Sequence, residues 1–168
     1  MDALTIDIRP AEIEDCVDVS DVHKQAWTYT YNGLLPHITL RQMFERRNVS
    51  WWKRAITGSA NVMVVDVGGE VAGYTTFGVN RVRNLSQEGE IYELYLRPEF
   101  MGIGLGRKLF TESRRYLNSL DHRGCVVWCL QDNQSAVNFY EALGGQQIAI
   151  GHEVFDEKEF GKVAYAWS

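Results

Sequence analysis

Cysteine is scarce in this chain, and what there is cannot staple it. Cys16, Cys125 and Cys129 are the only three. Cys125 and Cys129 lie four residues apart in a strand-like run, roughly 13 Å at about 3.3 Å per residue, beyond disulfide reach. No CxxC pair and no zinc-ligand spacing occurs, so a disulfide scaffold and a structural metal are excluded and no metal is expected. Long apolar runs are missing too. None approaches the roughly 20 residues that span a bilayer, and the opening MDALTIDIRP lacks the basic and apolar regions of a signal peptide. The expected compartment is the cytoplasm, with no membrane partner. Positive charge is in deficit, with 17 Lys and Arg against 22 Asp and Glu and a formal net charge of −5. That balance argues against a nucleic-acid partner. Repeats, low-complexity tracts and linkers are absent, and 168 residues suit one domain, 1–168.

What is present is concentrated in LYLRPEFMGIGLGRKL, Leu94 to Leu109. An apolar strand-like run stops at Arg97-Pro98, three glycines follow at alternate positions (Gly102, Gly104, Gly106), and a helical pattern begins. Glycine tolerates positive φ and close backbone approach. Free N–H groups at a helix start, aided by the helix dipole, attract an anion. The segment therefore predicts a phosphate cradle. It is not a Walker loop, because Arg107, Lys108 and Leu109 follow Gly106 where Lys-Ser or Lys-Thr is needed. Nor is it the dinucleotide fingerprint, which requires G-x-G-x-x-G early in a βαβ unit. Arg107, Lys108, Arg114 and Arg115 cluster in the following helix and are read either as phosphate-neutralising or as a solvated face.

The rest of the chain reads as mixed α/β, in the order β-α-α-β-β-β-α-β-α-β-β. Thr5 to Arg9 alternates as a half-buried strand, and a helix with His23 at its packed boundary follows. Leu40 to Ile56 reads as a single second helix, with Trp51-Trp52 packed inside. Asn61 to Val67 and Val71 to Val79 form a hairpin about Gly68-Gly69. Glu90 to Leu96 is a strand and Gly104 to Leu120 a helix, whose buried face is assigned to Leu105, Leu109, Tyr116, Leu117 and Leu120. Cys125 to Leu130 is a strand covered on both faces, Asn133 to Leu143 a short helix, and two strands close the chain. Strands joined by helical crossovers are expected to be parallel neighbours. His37, His122 and His152 receive no role.

These elements resemble the GNAT superfamily of N-acetyltransferases, across nearly the whole chain and most densely from Glu90 to Gly145. The family's Arg/Gln-x-x-Gly-x-Gly/Ala signature corresponds to Met101, Gly104 and Gly106, led in by Arg97-Pro98-Glu99-Phe100. A second signature corresponds to Asn133, Ala136, Phe139-Tyr140-Glu141 and Leu143-Gly144. Two departures stand out. Met101 replaces the usual Arg or Gln, and Gly145 replaces the common Phe.

The resemblance implies the acyl-CoA N-acyltransferase fold and transfer of acetyl from acetyl-CoA, as co-substrate, to a primary amine of a small molecule or peptide. It implies a cofactor site of Leu94, Tyr95, Leu96, Met101, Gly102, Ile103, Gly104, Leu105, Gly106, Arg107 and Asn133. The amides of the loop would take the pyrophosphate. The strand edge at Leu94 to Leu96 would pair with the pantetheine arm as an added strand would. Tyr140 corresponds to the general acid, since its phenol is protonated at neutral pH and can donate to the departing thiolate. Glu93 corresponds to the base, with Glu90 as fallback. The two face oppositely on a regular strand and alike only across a bulge. Trp27 and Tyr31, beside Leu34-Leu35-Pro36, either wall the acceptor site or cap the core. An acyl-CoA-binding sensor without turnover is the alternative function. Homodimers are common in the family, so the resemblance admits a homodimer.

Overall fold

A computed structural model of the chain describes residues 4–168. Its seven strands form one sheet in the order β1-β2-β3-β4-β5-β7-β6. The strands are β1 (Ile6–Pro10), β2 (Asn61–Val67), β3 (Glu70–Val79), β4 (Gly89–Leu96), β5 (Cys125–Leu130), β6 (Gln146–Phe155) and β7 (Lys158–Trp167). The helices are α1 (Cys16–Tyr31), α2 (His37–Arg46), α3 (Val49–Thr57), α4 (Leu105–Ser119) and α5 (Gln134–Ala142), with short 3-10 turns at Ile13–Asp15 and Pro98–Phe100. Among the described residues no helix is long and apolar enough to cross a membrane.

Alternation along the strands sorts side chains onto two cores. Val62, Val64 and Tyr74 face α1 and α3, meeting Val19, Val22 and Trp52. Phe77, Ile91 and Val127 face α4 and α5, meeting Phe110, Leu117 and Tyr140. Helices thus cover both faces, as the apolar runs of β3 and β5 require.

Three expectations are corrected. The single helix over Leu40 to Ile56 is two helices. α2 starts directly after Pro36, and the chain breaks at Arg47-Asn48, where the Asn48 side chain accepts a hydrogen bond from the Trp51 N–H at 3.0 Å and caps α3. Asparagine is among the best N-cap residues, and here it outweighs a periodicity that would run on. The strands joined through α5 are not neighbours, because β7 lies antiparallel between β5 and β6. The reason is composition: Val163 to Trp167 is an unbroken buried run, whereas β6 is mostly exposed and takes the edge. On α4, Tyr116 and Leu120 are largely exposed, and Phe110 takes the buried place.

Two local irregularities shape the centre of the sheet. β4 pairs in parallel with β5 only at Gly89–Cys125, Glu90–Val126 and Ile91–Val127. From Tyr92 to Leu96 it has no partner on the β5 side, while Glu93 to Leu96 stay paired with β3. Between β3 and β4 the register shifts, Thr76 facing Glu93 and Phe77 facing Ile91, so Tyr92 is an extra, bulged residue. The bulge places Glu90 and Glu93 on one sheet face, opposite Gly78 and Thr76.

Arg97, buried where β4 ends, ties two parts of the fold together. Its Nε donates to the Val71 carbonyl at 2.8 Å, and its guanidinium reaches Asp21 and Gln25 of α1.

Trp52 has no exposed surface and meets Tyr74 edge to face with ring centroids 4.9 Å apart. Trp52→Ala is expected to lower unfolding free energy by about 3–5 kcal/mol in urea titration. A loss below about 1 kcal/mol would mean that α3 does not depend on this side chain.

Candidate active site

The divergence of β4 from β5 opens a cavity of about 430 Å³. Leu94, Tyr95 and Leu96 form one wall, Asn133, Ala136, Phe139 and Tyr140 the other, and Met101, Gly102, Gly104, Gly106 and Arg107 the floor. The order of the floor follows from backbone chemistry. Gly102 and Gly104 take φ of +78° and +90°, the left-handed region that a Cβ disfavours, and Gly104 directly precedes α4. The Met101 N–H is spent on the Pro98 carbonyl, and the first helical amide with a backbone acceptor is that of Lys108, on Gly104. Among the described residues, the amides of Gly102 to Arg107 in between have no backbone acceptor. Together with the dipole of α4 they form an anion-binding nest.

Tyr140 is 6% exposed, its ring packed among Phe139, Phe110, Tyr165 and Trp167. Burial drives its pKa well above that of a free phenol, so it carries its proton at any physiological pH. Asn133 caps α5, its side-chain oxygen accepting from the Ala136 N–H at 3.2 Å. That leaves its NH2 as a donor beside the Tyr31 hydroxyl on the cavity wall.

On the other side of β4, facing α1–α3, lies a polar cluster centred on Glu93. Its carboxylate accepts hydrogen bonds from the Tyr74 hydroxyl at 2.8 Å, Arg47 Nη1 at 3.0 Å and Thr76 Oγ1 at 3.3 Å. Arg47 lies over the Trp51 ring, 3.9 Å from its centroid. Burial, with the nearby Glu93 charge, raises the Tyr74 pKa and keeps this phenol a donor. The Tyr31 and Tyr95 hydroxyls meet at 3.4 Å. Tyr95 also lines the cavity, and Tyr31 feels both Cys129 and Glu93. This tyrosine pair stands where the two sides of the sheet communicate.

The cavity therefore gathers Leu94, Tyr95, Leu96, Met101, Gly102, Gly104, Gly106, Arg107, Asn133 and Tyr140 from the expected set. It leaves out others. The Ile103 side chain is 66% exposed, and Leu105 is buried against Leu96 and Leu109, so only their backbones face the nest. Glu93, Trp27 and Tyr31 are not cavity-lining. Trp27 packs on Tyr31 and Tyr95 in the α1–α2 layer. Glu90 is 1% exposed and spent on Arg81, whose guanidinium and backbone N–H both bind it, which suits an anchor for the loop after β3. Of the basic cluster only Arg107 lines the cavity, since Arg114 binds the Ser168 carbonyl and Arg115 pairs with Glu112. Met101 packs with Leu96 and Leu105 as apolar wall. Sequence reasoning missed Arg47, Tyr74 and Thr76. The only available signal was that an acid on an interior strand must find donors.

Fold and cavity together define an enzyme of the N-acyltransferase class. The chain belongs to the acetyltransferase (GNAT) family, whose sequence model matches residues 20–145. It is 28% identical over 145 residues to the uncharacterized N-acetyltransferase YuaI of Bacillus subtilis, covering 86% of this chain and 82% of that one. It is 21% identical over 162 residues to a spermidine N(1)-acetyltransferase of Thermoplasma acidophilum, covering 94% and 99%. A crystal structure of the PaiA N-acetyltransferase of Thermoplasma acidophilum with coenzyme A superposes with a TM-score of 0.77 at 18% identity, over 97% of this chain and 99% of that one.

His23 bears on the stability of this layer. It is 1% exposed and ringed by Trp27, Phe44 and Trp52, and among the described residues its Nδ1 has no hydrogen-bond partner. Burial pushes its pKa down to about 4, against an ordinary 6.5. The unfolded chain therefore binds the proton first. Stability is full above about pH 6.5 and falls as pH drops from there toward 4, at up to about 1.4 kcal/mol per pH unit. Urea titrations from pH 7.5 to 4.5 should show this slope, and His23→Gln should flatten it. A pH-independent wild type would contradict the buried neutral imidazole.

Proposed function

We propose that this chain transfers acetyl from acetyl-CoA to a primary amine of a small molecule or peptide by direct attack, as one domain working in the cytoplasm. One observation carries the reading: a nest of free amides, an unpaired strand edge and a buried phenol share one cavity. The residues suit the carrier. A diphosphate fits the Gly102–Arg107 amides, with Arg107 at the mouth. A pantetheine arm, whose amides resemble a peptide, fits the free side of Leu94 to Leu96 and the Asn133 NH2. Bound there, acetyl-CoA supplies an acetyl group on a good leaving sulfur.

The chain's own residues then manage protons. An amine reaches the cavity from the α1–α3 side, past Trp27, Tyr31 and Tyr95. Attack needs the neutral amine, so a proton must leave it. Glu93 takes that proton directly or through water, because a carboxylate offers about four acceptor sites and the three donors leave room. As the C–N bond forms and the C–S bond breaks, Tyr140 gives its hydroxyl proton to the sulfur, and the second proton shed by the new amide nitrogen passes through water to restore the Tyr140 phenol. The raised phenol pKa keeps that proton available until charge develops on sulfur.

Tyr140→Phe keeps the ring packing and removes the proton. It should lower kcat by about 10²–10⁴-fold in a thiol-release assay, with acetyl-CoA affinity by titration calorimetry unchanged. Equal rates would remove Tyr140 from the chemistry.

A further inference from the structure

The acetyl-transfer reading leaves the acceptor open, and the Glu93 cluster narrows it. Both carboxylates on this face of β4 are already balanced: Glu93 by Arg47, 3.0 Å away, and Glu90 by Arg81 at 2.9 Å. Nearby, Asp15, just before α1, pairs with Arg9, and Asp21 of α1 pairs with Arg97. The ring of His23, which faces this cluster from α1, is neutral. A polycation with several ammonium groups would find both carboxylates of this face of β4 already paired.

What the cluster does present is an ion pair with both ends usable. The Arg47 guanidinium has five N–H donors, and among the described residues its one hydrogen-bond partner is Glu93. One face of the guanidinium is covered by Trp51, so its free edge is what remains. The side chain is 30% exposed, which makes that edge reachable. A planar fork matches a carboxylate bidentately. A cation and an anion 3.0 Å apart are the electrostatic mirror of an amine with a carboxylate close beside it.

Resting on the acetyl-transfer reading, we infer that the acceptor is a zwitterionic amine of the amino-acid type. Its carboxylate sits on the free edge of Arg47 and its amino group beside Glu93. The break between α2 and α3 exists at this point in the chain, and it hands Arg47 to the strand. The aromatic wall of Trp27, Tyr31 and Tyr95 then faces the rest of the molecule. Arg47 is in this view the residue that selects the acceptor.

The test compares each of a panel of L-amino acids with its own carboxamide, and both with spermidine, in a thiol-release assay on wild type, Arg47→Lys and Arg47→Gln. For wild type, kcat/KM should favour the acid over its amide by roughly 10- to 100-fold, the worth of a charge-assisted hydrogen bond. Arg47→Gln should bring that ratio near one and Arg47→Lys leave it intermediate, with acetyl-CoA affinity unchanged in all three. The acid-to-amide ratio cancels general damage from unpairing Glu93, which slows every acceptor alike. Two outcomes overturn the inference while leaving acetyl transfer standing: amides or spermidine used as well as the acids, or a ratio that survives Arg47→Gln. No amine-dependent thiol release with any acceptor overturns the acetyl-transfer reading and this inference with it.

Discussion

The organisation of the molecule depends on a pairing that stops early. β4 and β5 lie together for three residue pairs, ending at Ile91 and Val127, and then part inside an otherwise continuous sheet. A sheet interior normally satisfies its backbone with its neighbours. Here Tyr92 to Leu96 holds that capacity in reserve on one side. The gap places the amide nest before α4, the aromatic bed of Tyr140 and the edge of β4 around one volume. It is also where Thr30 of α1 and Tyr140 of α5, from opposite layers, come to line the same cavity.

The bulge at Tyr92 is the second constraint. Without it Glu90 and Glu93 would project from opposite faces. With it both face the α1–α3 layer, and they divide the work: Glu90 holds the loop after β3 through Arg81, and Glu93 gathers Tyr74, Thr76 and Arg47. The bulged residue is fastened in turn, its hydroxyl donating to the Val79 carbonyl at 2.5 Å. The irregularity is thus braced by the strand it distorts.

Much of this was written locally in the chain. The glycine spacing after Arg97-Pro98 specifies the nest, because φ and free N–H groups are properties of a short segment. Asn133 followed by a helical pattern specifies the α5 cap for the same reason. The break at Asn48 was also legible as a cap residue, but periodicity concealed it. What could not be read was long-range. Nothing near Arg47 in sequence announces Glu93, 46 residues on, and nothing near Tyr92 announces a shift that exists only relative to β3. The insertion of β7 lay between these cases. Its apolar run marked an interior strand, but the crossover rule drew attention to the helix and away from the hairpin.

Arg97 carries a mechanical consequence. It ends β4, opens the chain into the glycine loop, and reaches from the sheet to Asp21 and Gln25 on the first helix. The helix that carries Trp27, Thr30 and Tyr31 is therefore tethered to the residue that launches the nest. A shift at either end is transmitted through one rigid guanidinium, so the two ends of the cavity are geared together.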